Sequence, residues 1–544
     1  MYIGHIIEDM NSHARLGRSG GHFFRSLDGQ DMAGIDVVLQ QIMPGLAHYQ
    51  HVCCSGGGMA DPEFFQYMLA KLAFSHAHLQ PRMQGRAMCE VFGAYGWAES
   101  TAVMKQLMDH LLVRGIHYFV PHAFSPKFPD PDCPPHFHAD GHNPQWEAFG
   151  QLMRYVNRMS HLLERARPVL QAGILYHAEA EWSGEEYMLS QKPAKVLYDA
   201  HLDYAVIPMD SLLEDACIRE GRLNVGDLSL PALIIPYAAW LPDALIRRLE
   251  AMALEGLPVF FVEKRPQGVS FGQCVSLLDL PGQLRGVAAD DIEVQGEVPL
   301  LRVSHSTREG SHIWMMVNEN GVQKIQTVVK LSAPGYYWEI DAMTGRITPA
   351  DLMDGKYSVD LEAGQSIVLI SCGDAQFRPP VTNSFWHISP AAGKGKYLPV
   401  SAEWQYSQAD CSDLSQFSEP RKLTRLFNAT GHEGDSSFSG LMRYEAEIDV
   451  SAPDEIGWLD LGDAGSAAHV LLNGHDLGWT ICPPYRYEVM GKLVSGKNHL
   501  QITVANTLVF RYPDPFSRCM PIEPSGLMGP VQWICIAEGG TGHD

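Results

Sequence analysis

The run Arg86-Ala87-Met88-Cys89-Glu90-Val91-Phe92-Gly93-Ala94-Tyr95-Gly96-Trp97 decides how this chain is read. A short apolar strand ends on the Glu90 carboxylate, and glycines and aromatics follow before a helix opens near Ser100. A (β/α) barrel presents a catalytic acid in this way: the strand fixes the carboxylate at the C-terminal mouth, and the loop beyond shapes a sugar-sized pocket. The plainer alternative is a strand-end glutamate that caps a loop.

Outward from that stretch, short apolar runs alternate with helical spacing up to about residue 165. Tyr2 to Ile7 reads as a strand ending at Glu8-Asp9, a helical stretch spans Phe23 to Met32, and a second strand lies near Ile35 to Leu39. Glu63 to His78 places Phe64, Met68 and Leu72 on one helical face ahead of the Glu90 strand. Thr101 to Val113 is helical with Gly115 as its C-cap, Ile116 to Val120 is the next strand, and a long helix covers Gln145 to Glu164. Strands alternating with helices imply a parallel sheet. Only about four such units can be counted, against the eight of a closed barrel, so the region reads as a partial barrel or a smaller open layer.

From about Pro168 to Pro266 the pattern is again α/β. Strands are expected at Val169 to Tyr176, Tyr204 to Ile207, Ala232 to Pro236 and Pro258 to Val262, with helices around Ala194 to His201 and Ala244 to Glu255. This resembles a flavodoxin-like layer, and the lack of a glycine-rich phosphate loop after its first strand argues against nucleotide binding. Beyond about residue 285 alternating β segments take over. Ile313 to Val317, Tyr336 to Ile340, Tyr357 to Leu361 and Ser366 to Ile370 form a β-sandwich, and a second β-rich region follows, in which Asn473-Gly474 marks a tight hairpin.

Composition narrows the function classes. The formal net charge of −23 disfavours nucleic acid and anionic membrane, which bind through an excess of Lys and Arg, and suits a neutral carbohydrate partner. No run approaches the ~18 apolar residues of a spanning helix, so no membrane partner is expected. The N-terminus lacks the features of a secretory signal, and the eleven cysteines are scattered without CxxC pairs, which reads as reduced thiols in a cytoplasmic protein. Nothing in the sequence sets the oligomeric state.

Several segments carry a resemblance. Gly4-His5-Ile6-Ile7-Glu8-Asp9, Ala33-Gly34-Ile35-Asp36, the Glu90 run, Arg114-Gly115-Ile116-His117 and Pro121-His122-Ala123-Phe124 resemble the second half of the catalytic barrel in large bacterial glycoside hydrolases, nearest to the α-L-rhamnosidase family 106. Leu459-Asp460-Leu461-Gly462, Val470-Leu471-Leu472-Asn473-Gly474, Pro483-Pro484-Tyr485-Arg486 and Gly526-Leu527-Met528-Gly529-Pro530 resemble the galactose-binding-like jelly roll of family 2 glycosidases. The expected division is then a partial TIM-type barrel over 1–165, a flavodoxin-like α/β domain over 166–285, a β-sandwich over 286–375 and a galactose-binding-like jelly roll over 376–544. The fold class is multidomain α/β plus all-β. Relatives carry further sequence before the segment matching Gly4 to Asp9, so the first strands of a barrel are expected to lie outside this chain.

Glycoside hydrolysis needs a proton donor and a second carboxylate that acts as nucleophile or base. Glu90 is assigned the second role and Glu8 the first, since both end strands of the expected barrel. His5, Asp9, Asp36 and His122 stand near strand ends as candidates for sugar hydroxyls, and Tyr95 and Trp97 as rings to stack on a pyranose, with core filling as their alternative. His136, His138, Asp140 and His142 show a spacing that can suggest zinc, but in a proline-rich loop it is read as no metal site. The resemblance admits calcium, with no ligand set identifiable in the sequence, and no other cofactor is expected. The reading is a glycoside hydrolase, α-L-rhamnosidase-like. The competing classes are a non-catalytic carbohydrate-binding or truncated remnant protein and a β-galactosidase-like glycosidase.

Overall fold

In the computed structural model the described residues are 1–6, 21–45, 62–288, 291–372 and 396–535. They form two compact units, one drawn from residues 1–91, 107–121 and 157–382, the other from 92–106, 122–156 and 383–544. No closed barrel occurs among the described residues; the arrangement is a mixed α/β and β-rich one with several sheets.

The first unit opens on a three-stranded parallel sheet, β1 (Ala33–Val37), β2 (Ala87–Val91) and β3 (Tyr118–Pro121), in that order. Ile35, Val37, Cys89 and Val91 are fully buried, as befits parallel strands covered on both faces. Helix α1 (Ala70–Leu79), entered through a π-helical turn at Phe65–Leu69, packs on this sheet and is buried along its whole length. The return into β3 turns at Gly115, at φ +94°, where a Cβ would stand 2.2 Å from the Phe74 ring. Only glycine takes both that conformation and that approach without strain. The helix expected over Phe23 to Met32 is cut to Phe23–Ser26, because the chain reverses through Asp28-Gly29 with Gly29 at φ +89°. In place of a strand over Tyr2 to Ile7, described residues 1–6 make a single parallel bridge, Ile3 with Met32.

Five parallel strands make the next sheet: β4 (Ala172–Tyr176), β5 (Tyr204–Pro208), β6 (Leu233–Ile235), β7 (Val259–Val262) and β8 (Gln273–Val275). Their spatial order is β8-β7-β6-β4-β5, the doubly wound order of flavodoxin-like layers. A three-stranded antiparallel meander over Cys217–Leu230 is inserted before β6. Two antiparallel sheets follow, enclosing Leu301, Trp314, Met316, Val329 and Leu369; the six-stranded one ends on Arg167–Pro168, contributed from ahead of the α/β layer.

A buried charge cluster ties these layers of the first unit together. Arg302, fully buried, donates to Glu319 at 2.8 Å and to Asp199 at 2.7 Å, and Arg114, 1% exposed, donates to Glu319 at 2.6 Å. His110 Nδ1–H donates to the same carboxylate at 2.8 Å. Burial opposes ionisation of Glu319, but Arg114, His110 and Arg302 outweigh it and hold the carboxyl well below the ordinary range.

The second unit contains two antiparallel sheets, of four and six strands, around Trp404, Tyr444, Leu459, Val470, Leu500 and Ile502. Asn473 and Gly474, at φ +52° and +80°, close the hairpin between Ala467–Leu472 and His475–Thr480, the positive φ pair that type I′ turns require. The loop after β2 is pinned within this unit: Trp97 N–H donates to Asp514 at 2.9 Å and Ala98 N–H to Ser517 Oγ at 2.9 Å.

Candidate functional site

In the register of β1 and β2, Asp36 pairs with Glu90, so the two carboxylates stand side by side on one face near the C-terminal ends of their strands. The chain over Gly4-His5 lies against β1 because Gly34 has no side chain. A Cβ there would come within 2.2 Å of the Gly4 carbonyl oxygen and 3.3 Å of the His5 Cβ. That close approach places the His5 imidazole between the carboxylates: Nε2 is 2.8 Å from Glu90 Oε2, and Nδ1 is 3.9 Å from Asp36 Oδ2 and 3.3 Å from the Ile6 carbonyl.

The electrostatics follow from this geometry. The hydrogen bond to Glu90 raises the His5 pKa, burial opposes the shift, and the nearby Asp36 charge adds to it. The Glu90 side chain is 28% exposed, that of His5 19% and that of Asp36 4%. A charged imidazole donating to a partly exposed carboxylate is a pair in which the carboxylate can attack or accept a proton while the imidazole orients it.

The other expected site residues are placed as follows. Glu8 and Asp9 lie outside the described residues. Tyr95, Trp97 and His122 belong to the second unit. Tyr95 is fully buried and Trp97 is 4% exposed, its ring set edge-on to Phe128 and His136. Neither ring is open to a ligand in this structure. His122 is half-buried. The imidazoles of the proline-rich loop are engaged in packing. His142 donates to the Cys411 carbonyl at 2.6 Å and stacks on Phe128, and His138 meets Trp146 edge-on. Among the described residues no group of three or more His, Cys, Asp or Glu side chains is arranged to hold a metal ion. No described helix is long and apolar enough to cross a membrane.

Glu99 was not singled out by sequence. It is 2% exposed, neither carboxyl oxygen has a hydrogen-bond partner among the described residues, and burial pushes its pKa well above the usual range. The signal that could have found it is a lone acid in the apolar-aromatic run Gly96-Trp97-Ala98-Glu99, just ahead of helix α2 (Thr101–Leu112).

No protein-family model matches this chain, and no curated protein matches it. Among solved structures, a rhamnosidase from Novosphingobium sp. PP1Y is similar over 95% of this chain, with a TM-score of 0.68 and 19% sequence identity. This chain spans 52% of that one, about half its length. The likeness establishes a shared fold with that glycoside hydrolase. An exo-carrageenase GH42 from Bacteroides ovatus (TM-score 0.45, 10% identity, 67% of this chain and 51% of that one) and Gan42B, a GH42 beta-galactosidase (0.44, 8%, 64% and 61%), are similar at levels too low to bear on the fold.

Proposed function

We propose that this chain is the carbohydrate-active part of a glycoside hydrolase, with an α-L-rhamnoside as the leading substrate class. Glu90 is the carboxylate that acts as nucleophile or as base on water, and Glu8 is the proton donor to the leaving oxygen. His5 holds Glu90 ionised and oriented, and Asp36 adds the negative field that keeps His5 protonated. Within this reading the three-stranded parallel sheet is part of a (β/α) barrel, and the two sheets of the second unit are a galactose-binding-like jelly roll.

The observation that carries the reading is the His5–Glu90 hydrogen bond of 2.8 Å at the end of a buried parallel strand, in a fold shared with a rhamnosidase. It is tested by turnover of nitrophenyl glycosides, α-L-rhamnoside and β-D-galactoside included, by the full chain and its Glu90→Gln variant. The variant is expected to lose roughly 10²–10⁴-fold in kcat, the range for removal of a positioned acid or base. Turnover untouched by the substitution would sink the assignment, and glycoside binding without turnover by the unaltered chain would favour a carbohydrate-binding protein instead.

A further inference from the structure

Tyr95 and Trp97 are buried, yet the second unit does expose aromatic surface elsewhere. Phe124 is 60% exposed and Trp146 36% exposed, large values for rings in a folded protein. Their centroids are 6.1 Å apart with planes at 87°, so the two rings form a corner with one wall and one floor. Behind them Phe137 and Phe149, both buried, stack face to face at 4.3 Å, and Phe149 lies nearly parallel to Trp146 at 6.0 Å. The Phe124 loop is pinned as well: Ala123 N–H donates to the Pro135 carbonyl, and Phe137 N–H donates to the Ala123 carbonyl. The corner is therefore a supported platform on a fixed backbone.

We infer that the Phe124–Trp146 corner is a binding subsite for the pyranose ring of a glycan. Exposed aromatic rings suit the C–H patches of a sugar, and a perpendicular pair offers two differently directed surfaces to one ring. Exposed Glu147, next to Trp146 in the chain, carries acceptor oxygens of the kind that hydroxyl groups bind, while the net charge of −23 disfavours a nucleic-acid base as the stacked group. The choice of a sugar as occupant rests on the glycosidase reading; the corner itself does not.

The test uses methyl α-L-rhamnopyranoside and methyl β-D-galactopyranoside as probes, titrated into the full chain and followed by saturation-transfer NMR, with sedimentation run in parallel. Phe124→Ala and Trp146→Ala are each expected to weaken glycoside binding about tenfold, and Trp146→Phe, which keeps a ring, to stay within about threefold of the unaltered chain. Nitrophenyl glycoside turnover, measured in parallel, separates this inference from the catalytic assignment. Glycoside affinity unchanged in both alanine variants, or no binding by the unaltered chain, overturns the subsite even where Glu90-dependent turnover stands. Loss of self-association in Phe124→Ala without loss of sugar affinity also overturns it, by making the corner a contact between copies of this chain.

Discussion

Glu90 and Glu319 belong to the same unit and are both paired with a histidine at 2.8 Å, yet their surroundings give them opposite uses. Glu319 is met by two arginines that are themselves buried, and every force on it is spent on holding layers together. Glu90 remains 28% exposed and faces an imidazole whose own charge depends on pH. A carboxylate saturated by fixed cations is an anchor, whereas one held by a titratable partner at a strand end can exchange protons. Glu99 supplies the third case, a carboxyl whose pKa burial alone raises well above the usual range.

The contrast can be broken at its strongest point first. Glu319→Gln leaves Arg114 buried without its anion and Arg302 with Asp199 alone, and is expected to cost about 3–5 kcal/mol of stability, measured by denaturant unfolding. Glu90→Gln in the same assay is expected to be far milder; an equal loss would make Glu90 a structural anchor too. Next, Gly34→Ala drives a Cβ into the Gly4 carbonyl and is expected to cost about 1–3 kcal/mol or to detach the first residues. It also lowers the His5 pKa toward its ordinary value, read by NMR titration of the imidazole.

Smaller effects sharpen the comparison. Glu99 has a folded pKa above its unfolded value, so the folded state binds the extra proton and stability falls as pH rises past about 4.3. Glu99→Gln is expected to flatten that fall, and an unchanged slope would mean that Glu99 is not the group responsible. For His5 the folded pKa is also raised, so its contribution is fully present below about 6.5 and is lost as pH rises through the folded pKa. The stability difference between the unaltered chain and Glu90→Gln should therefore shrink from pH 6 toward alkaline pH. A difference that is constant with pH would mean the imidazole is not charged.

What was legible in the sequence was what local pattern encodes. The strand carrying Glu90 shows as an apolar run between turn residues, and Asn473-Gly474 fixes a hairpin by its own dihedral preferences. Asp36 could be named because it lies on a strand, but its register opposite Glu90 is set by pairing with a strand distant in the chain and is not read from the sequence. The His5–Glu90 contact was within reach only as a shared strand-end location, since 85 residues separate the two. The Arg302–Asp199 and Arg114–Glu319 pairs span 103 and 205 residues and leave no periodic trace. Burial of Tyr95 and Trp97, and exposure of Phe124, depend on which loop covers which ring, which aromatic content alone does not specify. The meander over Cys217–Leu230 is built from strands of three and four residues, too short for a period-two pattern to show.

Arg302 extends from the antiparallel sheets to Asp199 of the α/β layer and to Glu319, which also receives Arg114 from the turn into β3. Heat treats such a cluster differently from an apolar seam. The hydration that charged groups would regain on separation becomes less favourable as temperature rises, so the cluster's hold strengthens relative to apolar contacts just where a melt begins. These three layers are therefore expected to lose structure in one calorimetric transition, with no layer released early as a separate foldon.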